Sequence, residues 1–122
     1  MDAGMIGKAG EGYACVFLAR KGYKIIERNV RLPAGELDIV ARAGDGTLVF
    51  VEVKTAGNFS SEGFCPEDHM TAAKIRKFRR AASLYANAKP RMIDESKGFR
   101  LDLVALAKVG NDFVANHYEN VA

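Results

Sequence analysis

Two short β-rich segments, Glu36–Arg42 and Leu48–Lys54, flank Ala43-Gly44-Asp45-Gly46-Thr47. Asp-Gly between alternating runs is the strongest short-range hairpin signal, because tight hairpin turns need residues that accept positive φ. The centre of this chain is therefore committed to antiparallel sheet, and the other segments must pack around it. Two helical segments are available to cover the faces. Gly7–Arg20 places Ala9, Tyr13 and Phe17 on one stripe with Ala14 and Leu18 beside it, and Gly22 supplies a stop. Thr71 is an N-cap for a helix to about Asn87, whose apolar stripe Ile75, Phe78, Ala82 and Tyr85 is spaced by 3, 4 and 3.

Tyr23–Val30 reads as a further strand ending near the turn Pro33-Ala34-Gly35, and Phe99–Ala107 with Phe113–Tyr118 reads as a second hairpin around Gly110-Asn111. Ala56–Cys65 has no periodicity and is predicted to be a loop, and Lys89–Gly98 a polar connection. The order α-β-β-β-α-β-β predicts an α/β fold, a mixed β-sheet flanked by helices. At 122 residues it has the size of a single domain with one core, spanning 1–122.

Composition excludes several classes. Hydrophobic residues make up 48% and charged residues 27%, near the globular average, which rules out a disordered tail, a collagen-like fibre and a coiled coil. The longest apolar runs, Tyr13–Ala19 and Leu103–Ala107, are far short of the roughly 18 residues of a membrane span, so no membrane partner is expected. The start, Met-Asp-Ala-Gly, shows no basic segment leading into an apolar one, and the expectation is a cytoplasmic protein. Cys15, inside an apolar stretch, reads as core. Cys65, His69 and His117 complete no zinc spacing, and the histidines read as structural.

Charge is distributed unevenly. The net value is 18 − 15 = +3, yet between Thr71 and Arg91 there are seven bases (Lys74, Arg76, Lys77, Arg79, Arg80, Lys89, Arg91) and no acid. The rest of the chain then carries 11 − 15 = −4. Ordinary surfaces intersperse the two signs, so a helix this one-sided points to a polyanionic partner. Lys74, Arg76, Lys77, Arg79 and Arg80 are the candidate nucleic-acid contacts, positioning backbone without reading sequence.

The chemistry lies in Gly35-Glu36-Leu37-Asp38 followed by Val51-Glu52-Val53-Lys54. Strand side chains alternate, so Glu52 and Lys54 share a face, as do Glu36 and Asp38. Charges in such apolar strands are costly without compensation, and a divalent cation is a natural one. Register decides whether they meet. A two-residue turn at Asp45-Gly46 pairs Asp38 with Val53, whereas a three-residue loop at Gly44–Gly46 pairs Asp38 with Glu52. The sequence permits both, and a metal site requires the second. Oxygen ligands of this kind suit Mg²⁺ or Mn²⁺, which polarise a phosphodiester and acidify water, while a lysine two residues on stabilises developing charge. A second aspartate competes, because Leu101-Asp102-Leu103-Val104-Ala105 echoes Leu37-Asp38-Ile39-Val40-Ala41.

Gly-Glu-Leu-Asp-Ile-Val followed by Val-Phe-Val-Glu-Val-Lys resembles the bipartite motif of the PD-(D/E)XK nuclease superfamily. The whole chain resembles the YraN family of small bacterial predicted endonucleases, related to archaeal Holliday-junction resolvases. That likeness runs from Gly10-Glu11-x-x-Ala14 through Gly22-Tyr23 and Arg28-Asn29 to Arg100-Leu101-Asp102 and His117. The resemblance implies a restriction-endonuclease-like fold and a metal-dependent, structure-selective DNA endonuclease acting on branched or junction DNA, with a homodimer expected. Carried over by position, Asp38 and Glu52 are metal ligands, Lys54 the catalytic lysine and Glu11 a supporting metal ligand. Glu36 and Asp102 are candidates for supporting those ligands. Leu37 stands where the superfamily's name has proline, and Thr55 follows Lys54 where many relatives carry arginine. The alternative is a nucleic-acid-binding module that keeps the nuclease fold without cleaving; a nuclease acting on RNA is the weaker third reading.

Overall fold

The structure, a computed structural model, describes residues 3–56 and 70–122. The hairpin that constrains the sequence forms between β2 (Gly35–Arg42) and β3 (Leu48–Ala56). Ala43 N–H bonds to the Thr47 carbonyl at 2.9 Å, and Gly46 N–H to the Ala43 carbonyl at 2.9 Å, closing a three-residue loop. Gly46 takes φ +96°, and the Asp45 carboxylate accepts from Thr47 N–H at 2.9 Å. The pairs Arg42–Leu48, Ala41–Val49, Val40–Phe50 and Ile39–Val51 follow. This is the register that brings Asp38 level with Glu52.

β1 (Lys24–Leu32) pairs antiparallel with β2, β3 pairs parallel with β4 (Phe99–Val109), and β4 turns back into β5 (Asp112–Tyr118). The sheet order is β1-β2-β3-β4-β5. A parallel pair needs a crossover, and α2 (Ala72–Ala88) supplies it between β3 and β4. Thr71 caps α2 as expected, its hydroxyl accepting from Lys74 N–H at 3.3 Å. α1 (Ala3–Arg20) begins four residues earlier than its apolar stripe suggests, and Gly22 at φ +93° ends it. The predicted order of elements is the observed one, and Lys89–Gly98 carries a short 3-10 turn, Pro90–Met92, and an isolated antiparallel bridge between Asp94 and Gly98. Of the predicted loop Ala56–Cys65, Ala56 closes β3; the rest, with Cys65 and His69, lies outside the described residues.

Each sheet face carries one helix. Phe78, Ala81, Ala82 and Tyr85 of α2 pack on Leu37, Val40, Leu48, Phe50, Leu101 and Leu103. Ala14 and Leu18 of α1 pack on Ile39, Ala41, Val49, Val51, Val104 and Leu106. Burial on both faces explains why the central strands read as nearly continuous apolar runs. Each fully buried Leu, Val or Phe contributes about 1.5–3 kcal/mol. Phe50 gains further from edge-on contacts with Tyr85 and Phe99, both at 5.4 Å between centroids.

One expectation on α1 is corrected. Ala9 is exposed and Gly10 is buried, so the inward stripe at this end runs Gly10, Ala14, Leu18. A Cβ on Gly10 would stand 2.4 Å from Thr55 Oγ1 and 3.3 Å from a Leu106 methyl. Glycine fits there because a side chain would collide with those of Thr55 on β3 and Leu106 on β4. Its neighbour Glu11 is thereby carried to the end of β3 that bears Lys54.

Candidate active site

Asp38, Glu52 and Lys54 line one cavity of about 440 Å³, together with Gly35, Glu36, Met70, Lys74, Lys77 and Phe78. The hairpin register and the α2 crossover assemble it: β2 and β3 supply the acids and Lys54, and the first turns of α2 supply Lys74 and Lys77. The strands part beyond the Ile39–Val51 pair, and the Asp38 side chain takes over, its Oδ2 accepting from Val53 N–H at 2.8 Å. Burial raises the Asp38 pKa above the ordinary carboxylate value; the Val53 bond opposes the rise and the Glu36 charge adds to it.

Glu52 is the unusual group. Among the described residues its carboxylate accepts no hydrogen bond and stands within 4.0 Å of no cation. Burial and then the facing Asp38 charge push its pKa up to about 7, with Lys74 and Lys54 only partly offsetting them. A desolvated, unpartnered carboxylate facing another carboxylate fits a hard divalent cation, because both are oxygen donors whose mutual repulsion such an ion would relieve. Glu11 belongs to the same electrostatic neighbourhood: burial raises its pKa first, and Asp38 second. Its oxygens nonetheless do not gather with those of Asp38 and Glu52 inside 4.8 Å. Glu36 lines the cavity but is largely exposed, and pairs with Arg31 Nε at 3.1 Å.

Among the described residues, the His/acid group whose ligand atoms do lie within 4.8 Å of one another is Asp102, His117 and Glu119. Those atoms are close enough to hold a cation, but a cation is already present. Arg100 clamps Asp102 from Nε at 2.8 Å and a terminal nitrogen at 2.9 Å, and the same guanidinium stands 3.5 Å from Glu119. His117 Nε2 at 2.7 Å and Asn120 N–H at 3.0 Å complete the Asp102 carboxylate. Lys21 Nζ lies 2.6 Å from His117 Nδ1. With Nδ1 accepting from the ammonium, Nε2 carries the ring proton toward Asp102. Asp102 is fully buried and is not among the residues lining the cavity of Asp38, so the sequence echo marks two different environments.

The basic residues of α2 divide between two concavities. Lys74 and Lys77 line the acidic cavity; Arg76, Lys77 and Arg80, with Pro33, Ala34 and Leu84, line a second groove beside the β1–β2 turn. Arg79 lines neither. All five side chains are exposed.

Residues 10–106 match the sequence pattern described as Uncharacterised protein family UPF0102. A UPF0102 protein of Corynebacterium efficiens is 36% identical over 95% of this chain and 90% of its own length. Another, from Kosmotoga olearia, is 44% identical over 94% of this chain and 90% of its own. The chain belongs to the UPF0102 family. That placement agrees with the YraN resemblance read from the sequence. A solved structure of SfsA from Pyrococcus furiosus in complex with Ca²⁺ is 18% identical and covers 97% of this chain, with a TM-score of 0.44; the chain spans 64% of that structure's length. The span matched to UPF0102 contains Glu11, Glu36, Asp38, Glu52, Lys54, Asp102 and all the bases of α2 from Lys74 to Arg80, but ends before His117, Glu119 and Asn120.

Sequence reasoning gives no role to two residues of this region. Gly10 is one. The other is Asn29, whose amide lies against Glu11; with its nitrogen toward the carboxylate, donor meets acceptor at 2.8 Å to Oε1 and 3.3 Å to Oε2. The available signal is a polar residue inside a strand, of the type that best tolerates positive φ.

Proposed function

We propose that the chain is a metal-dependent DNA endonuclease, a single nuclease domain that hydrolyses phosphodiesters in the Asp38–Glu52–Lys54 cavity. The observation that carries this reading is Glu52: a largely desolvated acid without a partner among the described residues, facing Asp38, with Lys54 two residues along on the same face. Asp38 and Glu52 would hold the ion, with Glu11 as a third donor, and oxygen ligation favours Mg²⁺ or Mn²⁺. Bound there, such an ion supplies Lewis-acid polarisation of the phosphodiester and a more acidic water.

The chain's own groups supply the rest. Val53 N–H holds Asp38 Oδ2, fixing the carboxylate's orientation. Lys54 brings an ammonium to the same cavity, where it donates to phosphate oxygen and stabilises the charge that develops on attack. Lys74 and Lys77 bind the flanking backbone, and Arg76, Arg79 and Arg80 extend that interaction along α2. The resemblance to junction resolvases supports branched DNA as substrate and a homodimer as the active form. No described helix is long and apolar enough to cross a membrane.

The test is cleavage of a labelled panel: four-way junction, flap, nicked duplex, plain duplex, single strand and RNA, each with Mg²⁺, Mn²⁺ or EDTA. The proposal expects metal-dependent cutting of a branched DNA, absent from Lys54→Ala. Binding without cutting on every substrate would favour a non-catalytic binding module, and preferential cutting of RNA would correct the substrate.

A further inference from the structure

β1 contains a backbone irregularity that its packing does not demand. Asn29 adopts φ +51°, one of two non-glycine residues among those described with positive φ. It is exposed, so no core requirement imposes the conformation. The β1–β2 register pairs Arg28 with Ile39 and Val30 with Leu37, which sets Asn29 opposite Asp38. With its amide nitrogen turned toward the carboxylate, Asn29 meets Glu11 of α1 at 2.8 Å. The other residue of this kind, Asn120, also serves a carboxylate, through its backbone N–H on Asp102.

Strained positions that persist in exposed strands tend to mark a constraint imposed by function. Here the constraint is identifiable. Glu11 arrives from a helix, Asp38 and Glu52 from strands, and nothing covalent fixes the helix rotation that aims Glu11. Gly10 sets the depth of α1 on β3, and Asn29, with its amide nitrogen facing Glu11, donates to that carboxylate. We propose that Asn29 is a positioning residue, keeping Glu11 on the Asp38 side of α1, from where it closes in as the third oxygen donor when a divalent cation binds. This rests on the metal-dependent reading above and deepens it. Groups that orient a metal's ligands without touching the metal typically change its affinity 10–100-fold when removed.

The experiment measures Mn²⁺ binding to the full chain by the electron paramagnetic resonance signal of the free ion. Wild type is compared with Asn29→Gly, Glu11→Gln, the double variant and Glu52→Gln. Glycine accepts φ +51° without strain, so Asn29→Gly keeps the backbone and deletes only the amide. Expected are about tenfold weaker binding for Asn29→Gly, at least as large a loss for Glu11→Gln, and no further loss in the double variant, since both act through one ligand. If Asn29 serves only the turn of the strand, Asn29→Gly binds Mn²⁺ like wild type while Glu11→Gln is weakened, which overturns the positioning role and leaves the metal reading standing. Wild-type affinity in both Glu11→Gln and Glu52→Gln would overturn the two together.

Discussion

Glu52→Gln should stabilise the metal-free protein, and by an amount that depends on pH. The Glu52 carboxyl titrates at about 7 in the fold against 4.5 unperturbed, chiefly because it is buried and secondarily because Asp38 faces it. Between those values the folded chain binds more protons than the unfolded one, so stability falls as pH rises through the interval and is flat above it. At 1.36 kcal/mol per pH unit the full loss is about 3 kcal/mol. Glutamine has nearly the same shape and never ionises. Urea denaturation in EDTA at pH 4.5, 6, 7 and 8 should show the two proteins alike at the lowest pH, with the variant ahead by up to about 3 kcal/mol at pH 8. In a domain of this size that is a Tm difference of roughly 10 °C. Mg²⁺ or Mn²⁺ should close the gap by stabilising only the wild type. A pH-independent difference, or a variant no more stable at pH 8, would show that Glu52 is solvated or paired in solution and would remove the physical case for a cation there.

Three other outcomes follow from the same geometry. Gly10→Ala should cost about 1–3 kcal/mol of stability, because the new methyl meets Thr55 Oγ1 at 2.4 Å, and Thr55→Ala should restore most of it in thermal melts. At Asp102 burial raises the pKa, but His117, Arg100 and Asn120 together outweigh it and hold the carboxyl below its ordinary 3.8. Its stabilisation is thus present above pH 3.8 and lost as pH falls through the lowered value; Asp102→Ala should cost about 3–5 kcal/mol at pH 7, measured by urea denaturation, and less in acid. The Lys77→Gln, Arg80→Gln double variant should bind all DNA sequences more weakly and with a flatter salt dependence, by a slope of about 0.9 for each phosphate no longer neutralised, and an unchanged slope in fluorescence anisotropy would take α2 out of the interface.

The fold is largely legible in the sequence because its local signals agree with its tertiary ones. Asp45-Gly46 marks the central hairpin, Thr71 caps α2, and each helix carries one apolar stripe for one sheet face. The convergence of Asp38 and Glu52 is only half legible, since the sequence allows two registers and a single backbone pair, Ala43 with Thr47, selects between them. Other features depend on partners distant in the chain. Asp102 reads like Asp38 in its own strand, yet its surroundings are made by Arg100 beside it, His117 on β5 and Asn120 beyond. Ala9 reads as the buried residue in place of Gly10 because apolarity is visible in a sequence and close approach is not. Asn29 is hidden for a related reason: positive φ in a strand is set by what the side chain must reach.

The most direct test of the central claim is to measure binding and single-turnover cleavage of a labelled four-way DNA junction in the same samples, with Mg²⁺, for wild type and Glu52→Gln. The account predicts that both proteins bind, because the bases of α2 are untouched, and that only the wild type cuts. Cleavage by Glu52→Gln at the wild-type rate would contradict it, placing the chemistry elsewhere in the fold.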